Sequence, residues 1–346
     1  MSIAHRNQAV AAACRAALGE GRTLTRPLEV LRYACQASHR ERAEHHFAFC
    51  KPEVLATDAL LPPTKSVDLI CHMLAEQGVE IVGAHLLPGR WLQHTQFIAQ
   101  YYWVLSEVAR CGVDCSAGLQ NHFHRFDPHS RIMGSKQVLQ SFQALTAREL
   151  QAYGDRVGNV KIEPGVYAAT LTLGDERITV LNSFYPEQEQ RWQSKASHIL
   201  ALVLSSQRSL REIRAVLVGS TDPRVAPLGS IRRTLHDLHA CDVDEAEAIK
   251  KNGFHVAPNA IDSFRGIWLL CSLQSQRVSP QHLQFGSKLV HALGDEASGL
   301  LVDLLQARPK LEEMRFTLHR MTEDLGQQDV IDRMSDVFDG HPSWKW

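Results

Sequence analysis

The residues between Arg214 and Gly266 include the side-chain types that a phosphoryl-transfer site needs. Gly219-Ser220-Thr221-Asp222-Pro223 supplies a hydroxyl after an expected strand, and Gly229-Ser230-Ile231-Arg232 places an arginine after a turn. Asn252-Gly253-Phe254-His255 begins 20 residues after that arginine. A guanidinium binds phosphate oxygens through paired hydrogen bonds, and a neutral imidazole nitrogen is a nucleophile near pH 7. This order of residues indicates an anion-binding pocket beside a nucleophilic histidine.

The composition is that of a globular protein with an ordinary charge balance. The chain has 346 residues, 44% hydrophobic and 22% charged, which allows two domains or one domain with large additions. A formal net charge of -1 gives no reason to expect nucleic acid or an anionic membrane as a partner. No apolar run is long enough to span a bilayer, and the N-terminus lacks the apolar stretch of a secretory signal. The eight cysteines contain no Cys-x-x-Cys pair, which favours a reduced, cytoplasmic compartment.

The apolar pattern predicts strands that alternate with helices. His46–Cys50 is an expected buried strand that stops at a Lys-Pro pair, and Val79–Leu87 is a second one. Apolar residues between positions 67 and 74 recur at helical spacing, as do Leu28, Leu31 and Cys35 in an N-terminal segment that is expected to be helical. Further expected elements are a helix over Arg90–Arg110, strands over His198–Ser205 and Ala215–Val218 with a short helix from Leu210 between them, and a helix or strand over Ser263–Leu273.

This order of elements favours an α/β (α+β) fold with a ferredoxin-like βαββαβ sandwich core and helical N- and C-terminal extensions. The core is expected over residues 45–110 and 196–275, with helical extensions at 1–44 and 276–346. Residues 111–195 interrupt the alternation and are predicted to be an inserted subdomain. Within it, Val166–Leu173 and Arg177–Leu181 flank a Gly174-Asp175 turn, which predicts a β-hairpin.

Four segments resemble the nucleoside diphosphate kinase family. They are Phe47-Ala48-Phe49-Cys50-Lys51-Pro52, the Val82-Gly83-Ala84 strand, the Ile199–Arg232 region with its Gly-x-Thr-Asp-Pro and Gly-Ser-Ile-Arg motifs, and Asn252-x-x-His255. The resemblance implies a nucleotide-dependent phosphotransferase in which His255 takes the γ-phosphoryl group of one nucleotide and passes it to a second. It also implies Mg²⁺, bound together with ATP or another nucleoside triphosphate, and a homodimer or larger homo-oligomer.

The resemblance assigns binding roles to residues around that histidine. Lys51 would bind the transferred phosphate as a point charge, and Arg232 would bind phosphate oxygens with its guanidinium. Thr221 would donate its hydroxyl, and Asn252 would hydrogen-bond the sugar. Arg214 lies one residue from the position where a second phosphate-binding arginine is expected.

Two of these assignments have competitors. Tyr102 would help to place Lys51, with Tyr101 as the alternative. His239 competes with His255 for the catalytic role, because His239-Ala240-Cys241-Asp242 imitates a family motif. The spacing from the preceding arginine to His239 is too short, which favours His255.

The chain departs from the family pattern after the catalytic position. The family has a small residue, then a serine and then an acid just beyond the histidine, whereas Val256, Ala257 and Pro258 occupy those positions here. The glutamate that orients the imidazole in the family would fall near Gly266. Two alternatives therefore stay open beside the kinase. One is a catalytically weakened nucleotide-binding or regulatory protein, and the other is a specialised ATP-using transferase that acts on a non-nucleotide small molecule.

A second group of histidines lies in the predicted insertion. His122, His124 and His129, with Asp127, offer a His-x-His element that could bind zinc or contact the phosphoryl acceptor. No fourth ligand on a fixed scaffold is evident, and polar loop histidines are commoner than metal ligands. No metal-ligating residue is therefore assigned.

Overall fold

The computed structural model describes residues 2–19, 24–34, 42–56, 61–126, 131–239, 249–272, 278–294, 299, 301–302, 305 and 318–340. By its internal contacts the chain divides into two compact units. The first unit comprises Met1–Trp91, Lys195–Gln306 and Thr322–Trp346, and the second comprises Leu92–Ser194 and Ala307–Met321. The predicted insertion at 111–195 falls in the second unit, which begins earlier, at Leu92.

The first unit has mixed helical and strand structure. Its elements before the second unit are α1 (Ile3–Leu18), β1 (Leu28–Leu31), β2 (Glu44–Cys50), α2 (Pro52–Leu55), α3 (Pro63–Glu76) and β3 (Glu80–Pro88), after which α4 (Gly89–Thr95) leads into the second unit. The second unit contains α5 (Phe97–Tyr101), α6 (Trp103–Cys111), α7 (Ala117–Phe126), β4 (Arg131–Gly134), α8 (Ser135–Ser141), α9 (Ala147–Val157), β5 (Val160–Glu163), β6 (Val166–Leu173), β7 (Glu176–Leu181) and α10 (Tyr185–Trp192). The first unit then continues with β8 (His198–Ser206), α11 (Leu210–Glu212), a π-helix (Ile213–Val218), α12 (Ile231–His239), β9 (Phe254–Val256), α13 (Ala260–Cys271), α14 (Gln284–Leu293) and α15 (Gln327–Gly340).

A five-stranded sheet organises the first unit. The strand order is β1-β3-β8-β2-β9, and every neighbouring pair is antiparallel. Its two central pairs, β3 with β8 and β2 with β8, are formed by the long apolar runs that the sequence predicts as strands. The mixed content of helices and antiparallel strands confirms the coarse α+β prediction.

The two faces of this sheet bury different side chains. Alternate residues of β8, such as Leu200 and Leu202, join Ala48 and Cys50 of β2 in a core that is covered by α1 and α3. Because side chains alternate along a strand, Phe47 and Phe49 point to the opposite face. There Gly266 of α13 lies so close that an added Cβ would come within 2.3 Å of the Phe47 ring. On this face the helix therefore approaches the Phe47 ring at a position where it has no side chain of its own.

Glutamine side chains cover the part of the β2 edge that β9 does not reach. The Gln284 side chain accepts a hydrogen bond from the backbone N–H of His45 at 2.8 Å and donates one to the carbonyl of Ala43 at 2.6 Å. Gln327, at the start of α15, donates to the Gln284 side chain at 2.9 Å. Since an exposed strand edge leaves backbone groups unpaired, these contacts fix α14 and α15 to the sheet.

Three secondary-structure predictions were wrong. Leu28–Leu31 is an edge strand paired with β3, where a helix was expected. The apolar run Ala215–Val218 is part of a π-helix, because β9 occupies the edge beside β2 that a further strand would need. Arg90–Arg110 forms three helices, α4, α5 and α6, separated at Gln96 and Tyr102. Gln96 has a φ of +53°, which a continuous helix does not allow.

The second unit has its own mixed sheet in the order β4-β7-β6-β5. Strands β6 and β7 form the predicted hairpin, with Leu173 paired to Glu176 across the Gly174-Asp175 turn. Val166 and Leu181 contribute to one of its two apolar clusters, which packs against α6 and α7. Ala169 and Val180 contribute to the other cluster, together with Leu150 of α9.

Two adjacent buried histidines make the first unit sensitive to acid. Burial, and secondarily the charge of Lys288, lowers the pKa of His45 to about 4; burial lowers that of His46 to about 3. An unfolded histidine takes up a proton near pH 6.5, so protons favour the unfolded chain as the pH falls from there towards these values. We expect the free energy of unfolding to fall by about 2 kcal/mol per histidine between pH 7.5 and pH 5.

Urea unfolding of wild type and His46→Phe at several pH values tests this expectation. The variant should lose about 2 kcal/mol of this decrease, because it removes one titrating group, whereas His45, His85, His198 and His255 keep their lowered pKa values. His72→Gln is the matched control, since this side chain on α3 is largely exposed. An unchanged pH slope in His46→Phe would show that this imidazole does not couple protonation to folding.

Candidate functional site

Pairing of β9 with β2 brings the predicted lysine and histidine together. Phe49 lies opposite His255 in the register, and the backbone N–H of Lys51 donates to the carbonyl of Gly253 at 2.8 Å. The Lys51 side chain is only 5% exposed, and its Nζ donates to the carbonyl of Lys250 at 3.3 Å. The lysine that ends one strand is therefore held beside the histidine of its neighbour.

Arg232 is fixed at the beginning of α12 by two backbone carbonyls. Its Nε donates to the carbonyl of Phe254 at 3.0 Å, and its Nη1 donates to that of Gly219 at 3.0 Å. Gly219 has a φ of +89°, and an added Cβ would lie 2.5 Å from Oγ of Ser230, so this turn requires glycine. Arg232 thus connects β9 to the turn that follows the π-helix.

Arg214 approaches the same region from the π-helix. The bond from the Gly219 N–H to the Arg214 carbonyl, at 3.0 Å, closes this wider helical turn. The Arg214 side chain donates from Nη1 to the carbonyl of Pro258 at 3.2 Å and forms an ion pair with Asp324. A carboxylate from the C-terminal segment therefore engages the predicted second phosphate-binding arginine.

Asn252 holds the loop that carries Thr221. Its Nδ2 donates to the carbonyls of Thr221 and Ile249, both at 3.0 Å. Its Oδ1 is buried and accepts no hydrogen bond from the residues that the structure describes. In a hydrogen bond between Asn252 and a sugar, the sugar hydroxyl would therefore donate and Oδ1 would accept. The Thr221 side chain is exposed, and its role as a hydroxyl donor stays a prediction.

The electrostatics of His255 follow from these surroundings. Burial of the imidazole, and then the positive charges of Lys51, Arg232 and Arg214, hold its pKa well below the usual value. The ring of Phe49 stacks on the imidazole at a centroid distance of 4.6 Å and an interplanar angle of 28°. The imidazole is therefore neutral near pH 7, with three cationic side chains around it. A neutral nitrogen in a positively charged pocket is suited to attack an anionic electrophile.

The chain braces this histidine differently from the family it resembles. Gly266, near which the orienting glutamate was expected, packs against the Phe47 ring and leaves no space for a side chain. Asp262, the first acidic residue after His255, accepts from the Asn259 side chain at 3.1 Å, and its N–H donates to the same side chain at 2.8 Å. Stacking on Phe49 is one contact that restrains the plane of the imidazole.

The remaining predicted residues are not placed at this cluster. Tyr102 belongs to the second unit, where its ring contacts those of Tyr101 and Trp192 at centroid distances of 4.8 and 5.5 Å. Its contact with Lys51 stays a prediction. His122 lies on α7 against Phe123. The side chains of His124, His129, Asp127 and His239 lie outside the described residues.

Two contributors to the cluster were missed from the sequence. Phe49 could have been found, because alternation along β2 places it on the same side as a paired residue of β9. Asp324 could not, because it reaches Arg214 across 110 residues and no local pattern reports such a contact.

No family model, curated protein or solved structure matches the chain. None of the helices within the described ranges has the length and apolar character needed to cross a membrane. In the same ranges, no three His, Cys, Asp or Glu side chains come together as a possible metal site. The interpretation of the cluster therefore rests on its own geometry.

Titration of His255 tests the electrostatic description of the cluster. In NMR spectra assigned by comparison with His255→Gln, we expect no protonation of this imidazole between pH 5.5 and pH 7.5, since burial and three cations oppose it. Lys51→Met should raise the pKa of His255 towards the usual value, because the charge of Lys51 lowers this pKa more than that of either arginine. A midpoint near pH 6.5 in the wild type would contradict this description.

Proposed function

We propose that the protein is a nucleotide-dependent phosphotransferase in which His255 carries the phosphoryl group. The observation that carries this proposal is the convergence of Lys51, Arg232 and Arg214 on a neutral, partly exposed imidazole. Cations at this position would offset the charge of the polyphosphate substrate. The low pKa, to which the same cations contribute, would keep the nucleophile unprotonated near neutral pH.

The topology of the first unit supports this proposal. The four strands β2, β3, β8 and β9, numbered one to four in chain order, lie side by side in the order 2-3-1-4, which is β3-β8-β2-β9, and all pairs are antiparallel. On this order we propose a ferredoxin-like βαββαβ core, with β1 added at one edge and the second unit inserted in the chain between β3 and β8. Lys51 follows β2, His255 lies in β9, and Arg232 and Arg214 come from α12 and the π-helix.

In the proposed reaction, the imidazole lone pair of His255 attacks the γ-phosphorus of ATP. A nitrogen–phosphorus bond forms while the bond to the bridging oxygen breaks, and ADP leaves with that electron pair. An oxygen of the acceptor then attacks the same phosphorus, and the imidazole leaves as the neutral base. Lys51 and Arg232 would offset charge on the phosphoryl oxygens in both steps, because each is hydrogen-bonded to the chain just before His255.

Magnesium fits this proposal as a companion of the nucleotide. The side chains that surround His255 are cationic, and they do not bind a divalent metal ion. The phosphate oxygens of the nucleotide would therefore hold Mg²⁺, whose charge would offset theirs. A cytoplasmic location and a homo-oligomeric assembly belong to the same proposal; the first rests on the pattern of cysteines and the second on the family resemblance.

A second candidate is a nucleotide-binding protein with weak or absent catalysis. The contact of Gly266 with Phe47 favours it, since it excludes the carboxylate that orients the histidine in the related kinases. A third candidate, transfer to a non-nucleotide small molecule, shares the first half of the reaction and differs in the acceptor.

Incubation with γ-labelled ATP and Mg²⁺ tests the proposal. We expect an acid-labile, base-stable label on the wild-type protein, because a phosphoramidate is hydrolysed in acid and survives base. His255→Gln should carry no label above background. His72→Gln, which changes an exposed histidine of α3, should label as the wild type does.

The outcomes separate the three candidates. Label that is passed to nucleoside diphosphates supports the kinase, and label that is stable to nucleoside diphosphates favours a non-nucleotide acceptor. ATP binding without any label supports the binding protein. Label that persists in His255→Gln would show that another residue is the nucleophile.

A further inference from the structure

The segment Thr322–Gly326 is fastened beside His255 by several hydrogen bonds. The N–H of Asp324 donates to the carbonyl of Pro258 at 2.9 Å, and the N–H of Ala260 donates to the carbonyl of Leu325 at 3.1 Å. Pro258 and Ala260 lie shortly after β9, so this C-terminal segment is hydrogen-bonded to the chain just beyond the strand that carries His255. The same Pro258 carbonyl also accepts from Arg214 at 3.2 Å.

This fastening holds the Asp324 carboxylate in a defined position. Asp324 has a φ of +67°, which aspartate and asparagine adopt more readily than most residues. Just beyond it, the N–H of Gln327 donates to the Glu44 side chain at 2.9 Å, which anchors the beginning of α15 to β2. The turn is therefore fixed on both sides, and its carboxylate points at the Arg214 guanidinium.

A carboxylate and a phosphate bind a guanidinium through the same paired hydrogen bonds. Arg214 is also one of the three cations whose charge acts on His255. An anion that reaches Arg214 must therefore compete with Asp324. Half of the Asp324 side chain is exposed, at 50%, so it can move into water when it is displaced.

We propose that Asp324 determines the anion affinity of this site by competing with the ligand for Arg214. The inference rests on the proposed function for the existence of a phosphate-binding site, and it adds a residue that the family resemblance does not supply. The Asp324 carboxylate occupies Arg214 in the absence of ligand. A polyphosphate displaces it, and the affinity of the site is lower than that of the same cations without Asp324.

Calorimetric titration with inorganic pyrophosphate at low ionic strength tests the competition. Asp324→Asn keeps the positive φ and removes the charge, and we expect it to bind pyrophosphate about threefold to tenfold more tightly than the wild type does. Asp324→Gly accommodates the same backbone angle and should behave alike, which guards against a misfolded single variant. Asp237→Asn is the matched control, because it removes the same charge from an exposed pair with Arg233.

The double variant Arg214→Ala/Asp324→Asn shows whether Asp324 acts on anion binding through Arg214. We expect the gain to vanish against the Arg214→Ala background, since Asp324 acts only through this arginine. The proposal is overturned if Asp324→Asn and Asp324→Gly bind pyrophosphate as the wild type does, if Asp237→Asn gains equally, or if the gain survives without Arg214. Absence of pyrophosphate binding in every variant would also overturn it.

These outcomes are independent of the phosphoryl-transfer experiment. Tighter pyrophosphate binding by Asp324→Asn together with an unlabelled His255 would sustain the competition and reject the transfer reaction. A labelled His255 with unchanged pyrophosphate affinity in Asp324→Asn would sustain the transfer reaction and reject the competition.

Discussion

The pairing of β9 with β2 is the constraint on which the rest of the site depends. Three residue pairs join the strands, and the N–H of Lys51 extends the pairing to Gly253. This register places His255 over Phe49 and beside the lysine that ends β2. Arg232 reinforces it, because its side chain binds the carbonyl of Phe254 within β9. A shift by one residue would turn the imidazole into the apolar core on the other face of the sheet.

The charge arrangement follows from that pairing. Three cations near one imidazole are unfavourable for its protonation, and burial adds to the effect. The protein offsets part of this positive charge at Arg214 with Asp324. The cluster therefore combines a neutral imidazole with an excess of positive charge, which a phosphate ligand would reduce. The same features serve a binding protein without catalysis, and the absence of space beside Gly266 is the main physical argument for that alternative.

The sequence predicted local features better than distant contacts. Strands β2, β3 and β8 were recognised because each is a continuous apolar run, and the hairpin of β6 and β7 because of its Gly-Asp turn. Ala215–Val218 is equally apolar but forms a π-helix, since the choice depends on which strand takes the sheet edge. Leu28–Leu31 has helical spacing, yet pairing with β3 overrides it. The cationic cluster was predicted through motifs, whereas Asp324 joins it through the tertiary fold alone.

The position of a bound nucleotide is the most direct test of the central claim, that the cations around His255 form a phosphate site. A crystal structure with ADP and Mg²⁺ would locate its phosphates. We predict that the terminal phosphate contacts Lys51 and Arg232 and lies next to the imidazole of His255. We also predict that Asp324 has moved away from Arg214. Phosphates bound elsewhere on the protein, with Lys51 and Arg232 making only their present backbone contacts, would contradict it.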